Sequence, residues 1–211
     1  MLAETAVSIP FERPGVSGYL HEPAAANGRG LVLVHGAGGD CNAPLLKAAA
    51  AAFCAAGWHV LRCNLPFRQR RAKGPPSPAT AAGDRTGLSA AADALRHFLD
   101  GPVVLAGQSY GGRQATMLVA EDPAQAESLV LFSYPLHPPG KPDRLRTGHF
   151  SQLSVPAIFV HGSADPFGTL SEVETAAAII PAPTKIIPVH GAGHDLRQGR
   201  FDFGEVVAAV T

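Results

Sequence analysis

Short apolar runs that alternate with helix-forming stretches are the feature that most limits the possible folds of this 211-residue chain. The runs are strand-length, mostly apolar and rich in Val, Leu and Ile, which is typical of strands buried on both faces of a parallel sheet. They lie at residues 31–34, 58–63, 103–107, 129–132, 157–160 and 185–189. The alternation predicts right-handed β-α-β units and an α/β fold, with one mostly parallel central sheet and helices on both faces.

Helices are expected in the stretches between these strands. The predicted ranges are 43–56, 84–99, 109 to about 121, 171–179 and 201–210. In the second range, four apolar residues recur at offsets that share one helix face, namely Leu88, Ala92, Leu95 and Leu99. Residues 64–83 are rich in proline and predict a long loop. Residues 6–11 and 16–20 are interpreted as one or two antiparallel strands ahead of the parallel set.

Composition excludes several classes of protein. Hydrophobic residues make up 46% of the chain and charged residues 16%, so a mainly disordered chain is ruled out. The formal net charge is zero, and neither nucleic acid nor an acidic membrane surface is therefore an expected partner. There is no internal repeat and no clear interior boundary, which predicts one domain over residues 1–211.

The cysteines and the N-terminal segment indicate a compartment. Cys41, Cys54 and Cys63 are odd in number and widely spaced, which argues against a disulfide framework. No His or Cys pair has the spacing of zinc ligands, and neither a metal nor a cofactor is expected. No signal peptide is visible in residues 1–10, and no run reaches the roughly 18 apolar residues of a membrane span. We expect a reduced cytoplasmic protein, either a monomer or a homodimer.

A serine in a glycine-rich turn follows the strand predicted at residues 103–107. Residues 107–111 read Gly-Gln-Ser-Tyr-Gly, the G-x-S-x-G pattern of a nucleophile elbow. Glycines leave room for a tight turn that pushes the serine hydroxyl out at the mouth of a site. A serine that only caps the next helix is the simpler alternative. Because an apolar strand precedes the motif and a helix follows it, Ser109 is predicted to be a nucleophile.

A second glycine-rich segment, His-Gly-Ala-Gly-Gly at residues 35–39, follows the first parallel strand. Such a loop can point backbone N–H groups into a site, and two such donors stabilise a tetrahedral oxyanion. Ala37 is favoured as the first donor, with Gly38 as its competitor, and the N–H of Tyr110 as the second donor. A phosphate site is the weaker alternative, because no P-loop Lys-Ser/Thr pair is present. His35 is interpreted as structural.

The ends of the last two strands supply an acid and a base. Asp165 follows the strand at residues 157–160, and His194 follows the last strand. In chain order, Ser109, Asp165 and His194 match the triads of α/β-hydrolases. His194 would take the proton from the serine, and Asp165 would hold the imidazole in the required tautomer. Asp195 and His190 are the rivals for these two roles.

Several segments together resemble the α/β-hydrolases, and within them the family of testis-expressed protein thirty and the third subunit of the nuclear NSL complex, near the dienelactone hydrolases. The resembling segments are residues 34–38, 62–68, 107–113, 133–142, 162–168 and 191–196. The resemblance implies an α/β-hydrolase fold without a large cap, and implies little about the substrate. Relatives carry Arg and Met where this chain has Gln108 and Tyr110, so substrate contacts are expected to differ.

Two functions from different classes are consistent with these residues. The first is a serine hydrolase for a small ester, thioester or related acyl substrate, with an open site. The predicted substrate contacts are Gly38, Phe67, Leu136 and Phe167. The second is a non-catalytic binding or scaffold module that uses the basic segment at residues 68–73.

An anion site formed by three arginines, Arg62, Arg68 and Arg113, is a further possibility for an acidic substrate. Arg113 lies one turn into the helix that follows Ser109. It is interpreted instead as a structural tie to the loop that begins at Asn64.

Overall fold

Eight strands form one sheet in the computed structural model, which describes residues 7–199 and 201–210. The strands are β1 (Val7–Arg13), β2 (Val16–Glu22), β3 (Gly30–Val34), β4 (His59–Cys63), β5 (Val103–Gln108), β6 (Ser128–Phe132), β7 (Ala157–Gly162) and β8 (Thr184–Val189). Their order across the sheet is β1-β2-β4-β3-β5-β6-β7-β8. Residue 6 of the first predicted strand, and most of the segment searched for a signal peptide, lie outside the described residues.

The sheet is antiparallel only at its first edge. β2 pairs antiparallel with both β1 and β4, and every other neighbouring pair is parallel. The mostly parallel sheet and the antiparallel strands ahead of it are therefore confirmed. The carboxyl ends of β3 to β8 gather at one edge, which is where open sheets of this kind place their binding sites.

Six α-helices accompany the sheet within the residues that the structure describes. They are α1 (Pro44–Ala55), α2 (Pro66–Arg70), α3 (Ala81–Arg96), α4 (Tyr110–Glu121), α5 (Leu170–Ala177) and α6 (Phe203–Val210). The prediction of a continuous loop over residues 64–83 is wrong, because α2 lies within it and α3 begins three residues before Asp84. Pro66 occupies the first turn of α2, and the Asp84 carboxylate accepts the N–H of Phe67 at 2.9 Å, which caps that helix.

The helices cover both faces of the sheet because the strands are apolar on both faces. Leu105 packs into a cluster with α3, α4 and α5, whereas its neighbours Val104 and Ala106 pack into a second cluster with α1 and α6. Trp58 and Phe53 are fully buried in the second cluster. Burial of each large side chain contributes about 1.5–3 kcal/mol, so these two layers supply the main stabilisation of the fold.

In the described part of the chain, the carboxyl edge of the sheet carries no large cap. Between β6 and β7, a short 3-10 helix at Phe150–Gln152 is the element that the structure assigns. Within residues 7–199 and 201–210, no helix combines the length and the apolar character needed to cross a membrane.

Candidate active site

Ser109 lies on a sharp turn between β5 and α4. Its φ of 49° is in the left-handed region, which is rare for a residue with a side chain. A Cβ atom on Gly107 would lie 2.4 Å from the backbone nitrogen of Gly112, and one on Gly111 would lie 2.6 Å from the carbonyl oxygen of His35. The turn therefore requires glycine at both positions, and it directs the Ser109 side chain out of the sheet edge.

The structure brings Ser109, His194 and Asp165 together from three separate strand ends. Ser109 Oγ lies 2.8 Å from His194 Nε2. On the other side of the ring, His194 Nδ1 lies 2.8 and 3.0 Å from the two carboxylate oxygens of Asp165. Because a carboxylate only accepts, Nδ1 carries the proton, and Nε2 of the neutral imidazole is free to accept from the serine hydroxyl.

The Asp165 carboxylate is held in place by contacts other than its hydrogen bond with the His194 imidazole. Its side chain is fully buried, and Oδ1 accepts the N–H of Phe167 at 2.9 Å. The Phe167 ring stacks on the His194 ring with a centroid separation of 4.1 Å. The loops carrying the two residues are joined by the N–H of Ala164, which donates to the carbonyl of Ala192 at 2.9 Å. Asp165 and His194 are thus fixed relative to each other by backbone as well as side-chain contacts.

Asp195 and His190, the alternative candidates for the carboxylate and the base, lie away from Ser109. Asp195 is more than half exposed, and its carboxylate accepts the N–H of Arg197 at 3.1 Å. His190 is exposed at the end of β8. Neither has a recorded contact with Ser109 in the described part of the chain.

The glycine loop, residues 35–39, is held by hydrogen bonds to the Gly36 carbonyl, and residues 36–39 line the cavity beside Ser109. The Gly36 carbonyl accepts from the N–H of Gly39 at 3.2 Å and from His35 Nδ1 at 2.8 Å. Because the trans peptide places N–H opposite C=O, the N–H of Ala37 points away from those donors. No hydrogen bond within the described residues engages the N–H of Ala37, Gly38 or Tyr110.

His35 is a buried structural residue in the described contacts. Its Nε2 accepts the N–H of Leu65 at 3.1 Å while Nδ1 donates to the Gly36 carbonyl. Burial lowers the pKa of His35, so the ring is neutral at physiological pH. It fixes the start of the glycine loop rather than facing the cavity.

Arg68 is buried and donates to four backbone carbonyls. Its Nε donates to Gly39 at 2.8 Å, and its Nη2 donates to Ala37 at 2.9 Å. The same guanidinium donates to the carbonyls of Arg71 and Gly74, both at 3.2 Å. Arg68 therefore joins the glycine loop to the segment after α2.

Arg62 is also occupied. Its Nε donates to His21 Nε2 at 2.7 Å, and another guanidinium nitrogen donates to the Cys41 carbonyl. Burial, together with the charge of Arg62, lowers the pKa of His21 to about 4. The anion site considered for Arg62, Arg68 and Arg113 is therefore wrong, because the first two side chains are engaged inside the protein.

The serine faces a cavity of about 480 Å³ at the carboxyl edge of the sheet. The cavity is lined by Gly36, Ala37, Gly38, Gly39, Gln108, Ser109, Tyr110, Arg113, Pro135, Arg146, Phe167 and His194. Six of the predicted site residues line this cavity, namely Ser109, His194, Ala37, Gly38, Tyr110 and Phe167. Asp165 lies behind His194.

Two predicted substrate contacts do not line this cavity. Phe67 is buried, and its ring packs edge-on against His35 and Tyr110 at 5.5 and 5.6 Å. Leu136 is buried beneath Gly168, where a Cβ atom would lie 3.0 Å from the Leu136 Cβ. Each of these residues follows a strand end, but its side chain turns into the hydrophobic core. Both side chains therefore lie beneath the cavity wall and do not line it.

Tyr110 lines the cavity, and its phenol is anchored in the protein. Its hydroxyl donates to Asp84 Oδ2 at 2.7 Å. Burial and this hydrogen bond raise the pKa of Tyr110, so the phenol stays protonated.

Two arginines, Arg113 and Arg146, lie in the cavity wall. Arg113 was considered above as one member of a three-arginine anion site, whereas Arg146 was not predicted in any role. Arg113 has no recorded side-chain hydrogen bond to residues 64–83, so the structure does not support its interpretation as a tie to that loop. Arg146 lies in the long irregular connection after β6, and no sequence motif marks it as a residue of the cavity wall.

The described residues hold neither a metal-binding cluster nor a disulfide. Among them, no group of three or more His, Cys, Asp or Glu side chains could hold a metal ion. Cys41, Cys54 and Cys63 are buried free thiols.

The chain resembles solved structures over nearly its whole length. An alpha/beta serine hydrolase homologue from Coxiella burnetii has a TM-score of 0.73 at 18% identity, covering 100% of this chain and 98% of that one. A member of the serine hydrolases without a lid, from Xanthomonas campestris, has a TM-score of 0.72 at 18% identity, covering 100% and 94%. Dienelactone hydrolase from Anabaena variabilis has a TM-score of 0.71 at 19% identity, covering 97% and 94%. These likenesses concern the fold.

A curated relative matches part of the sequence. Epoxide hydrolase A of Mycobacterium tuberculosis is 43% identical over 58 residues, which are 28% of this chain and 17% of that protein. The matched segment thus spans about a sixth of the relative's length.

A family model described as an alpha/beta hydrolase domain matches residues 27–203 of the sequence. This range includes β3 to β8 and all three strand ends that carry Ser109, Asp165 and His194. The protein therefore belongs to the alpha/beta hydrolase family.

Proposed function

We propose that the protein is a serine hydrolase that cleaves a small ester, thioester or related acyl substrate through an acyl-enzyme intermediate. The observation that carries this proposal is the 2.8 Å contact between Ser109 Oγ and His194 Nε2, with Asp165 on the far side of the ring. A nucleophile, a base and an orienting carboxylate in this arrangement form the general template for acyl transfer.

In the first half-reaction, Ser109 Oγ attacks the substrate carbonyl carbon and its proton moves to His194 Nε2. The carbonyl oxygen becomes an oxyanion, which accepts from the N–H of Tyr110 and from the N–H of Ala37 or Gly38. The intermediate then collapses, and the bond to the leaving group breaks. His194 donates its proton to the departing oxygen or sulfur, which leaves the acyl group on Ser109.

In the second half-reaction, water takes the place of the leaving group. His194 accepts a proton from water as the water oxygen attacks the acyl carbon. The second tetrahedral intermediate then collapses, the bond between the acyl carbon and Ser109 Oγ breaks, and His194 returns its proton to Oγ as the acid departs. Asp165 stabilises the imidazolium in both halves without itself becoming protonated.

The open cavity favours small substrates. No large cap covers the carboxyl edge in the described residues, and the cavity of about 480 Å³ lies near the lower end of the range for ligand pockets.

Within the alpha/beta hydrolases, we propose that the protein is a relative of testis-expressed protein thirty. This family assignment rests on the sequence segments named above, including the run at residues 133–142.

We expect the protein to work in the cytoplasm, since its three cysteines are free thiols.

This function is tested with purified protein and a panel of short-chain 4-nitrophenyl esters, thioesters and lactones. We expect turnover of at least one class, with Ser109→Ala protein from the same preparation as the blank for contaminating esterases. A correctly folded protein that turns over no member of the panel would contradict the proposal. That result would favour a binding role for the fold, in which the exposed side chains of Arg70, Arg71 and Lys73 are the basic surface.

Arg68→Gln is expected to lower kcat about 10- to 100-fold and to change KM less. Arg68 holds the carbonyls of Ala37 and Gly39, and its loss would let the oxyanion donors shift from a position that matters mainly in the transition state. Arg70→Gln on the same helix is the matched control, because Arg70 is exposed. Steady-state kinetics, at a temperature where circular dichroism shows both variants folded, checks this. An unchanged kcat in Arg68→Gln would show that Arg68 does not position the oxyanion donors.

A further inference from the structure

Two arginines lie in the wall of the cavity that contains Ser109 and His194. Arg113 is one turn into α4, and its N–H donates to the Ser109 carbonyl at 3.0 Å, so it lies close to the nucleophile. Arg146 comes from the connection between β6 and β7 and reaches the same cavity. The described lining of the cavity includes no Asp or Glu. Its two guanidinium groups are therefore not neutralised by the wall itself.

Neither arginine has an acidic partner in the described part of the chain. Arg113 Nε is buried without a hydrogen-bond partner there, which is costly for a charged donor. Arg146 Nη1 donates to the Pro135 carbonyl at 3.2 Å, a neutral acceptor. By contrast, Arg29 pairs with Glu127 and Arg85 pairs with Glu121, each at 3.0 Å. Arg62 and Arg68 also lack an acidic partner, but their guanidinium groups are occupied by neutral acceptors inside the protein. Arg113 and Arg146 differ from them in lining the cavity that contains Ser109.

The two guanidinium groups also act on each other. The pKa of Arg146 is lowered first by burial and then by the positive charge of Arg113. Holding two like charges beside one cavity is unfavourable unless an anion lies between them or near them. Arginine also matches carboxylate geometry well, because its planar fork can donate two parallel hydrogen bonds.

We propose that the substrate is an ester that carries a free carboxylate, and that Arg113 and Arg146 bind this carboxylate beside the scissile bond. This inference rests on the proposed hydrolase function and specifies its substrate class. A carboxylate brings one negative charge and the tetrahedral oxyanion brings a second, so the two arginines balance the total charge of the transition state. Arg113 and Arg146 are specificity-determining residues in this proposal.

The test uses two matched pairs of substrates. The first pair is mono-4-nitrophenyl adipate and its methyl ester, which place the carboxylate or its neutral counterpart on the acyl side. The second pair is 4-acetoxybenzoate and methyl 4-acetoxybenzoate, which place it on the leaving-group side. The readout is the ratio of kcat/KM for the anionic and the neutral member of each pair. Comparison of this ratio between variants removes the intrinsic difference in reactivity.

Arg113→Gln and Arg146→Gln are each expected to lower the ratio about tenfold for at least one pair, as expected for loss of one charged hydrogen-bonding partner. Arg113→Lys should lower it less, since the charge is kept. Arg96→Gln is the control, because Arg96 pairs with Asp93 at the far end of α3, and it should leave the ratio unchanged. The Arg146 and lysine variants keep the test informative if Arg113→Gln does not fold.

Two kinds of failure are distinguishable. If the neutral esters are hydrolysed but neither pair shows a ratio that depends on Arg113 or Arg146, the carboxylate inference is wrong and the hydrolase function stands. If no member of either pair is hydrolysed and Ser109 does not react with an active-site probe, the hydrolase function itself fails.

Discussion

Ser109→Ala is expected to lower kcat for any ester the protein cleaves by about 10⁴-fold or more, while leaving the protein folded. The substitution removes the hydroxyl that lies 2.8 Å from His194 Nε2 and keeps the backbone of the turn. His194→Ala should lower kcat to a similar extent, because the serine then has no base. The double variant should be no slower than the slower single variant, since the two residues act as one unit.

The measurement is steady-state hydrolysis of a chromogenic short-chain ester, with the melting temperature recorded for every variant. Ser171→Ala, an exposed serine on α5, is the matched control and should keep wild-type activity. Ser109→Ala protein that retains more than about a tenth of the wild-type kcat would remove the serine from the mechanism.

Asp165→Asn is expected to lower kcat about 10⁴-fold at neutral pH. Oδ1 of the carboxylate accepts from Phe167 N–H, and both oxygens accept from His194 Nδ1. An asparagine has one amide NH₂, and with Oδ1 kept on Phe167 N–H this NH₂ would face Nδ1. The imidazole would then carry its proton on Nε2, where it cannot accept the proton of Ser109.

Asp195→Asn tests whether Asp195, rather than Asp165, is the carboxylate that orients His194. Asp195 is adjacent to His194 in the sequence, but its side chain is exposed and accepts from Arg197 N–H. We expect it to keep kcat within about threefold of wild type, as is usual for an exposed residue away from the chemistry. Loss of activity in Asp195→Asn but not in Asp165→Asn would reverse the assignment of the carboxylate.

The sequence was sufficient to predict which strand ends bring Ser109, Asp165 and His194 together. The strands are apolar on both faces, which identifies a parallel sheet, and a parallel sheet brings the segments after its strands to one edge. Ser109, Asp165 and His194 each follow such a strand, so their meeting could be predicted without coordinates. The glycines around Ser109 carried additional information, because backbone atoms occupy the space of their missing side chains.

Side-chain direction after a strand end could not be predicted in the same way. Phe67 and Leu136 follow strand ends but turn into the core, since burial of a large apolar side chain outweighs a place at the cavity edge. Arg146 has no motif, and it reaches the cavity only because the irregular connection after β6 folds back. The helix α2 is five residues long, and its capping carboxylate comes from Asp84, 17 residues after Phe67. Such a contact depends on tertiary structure.

The central claim is that Ser109 Oγ is the nucleophile, activated by His194. Its most direct test is reaction with a fluorophosphonate, followed by peptide mass spectrometry. We predict one adduct per chain, located on Ser109, and much slower labelling in His194→Ala protein because the base is missing. An unmodified Ser109 in folded wild-type protein, or an adduct formed equally fast without His194, would contradict the account.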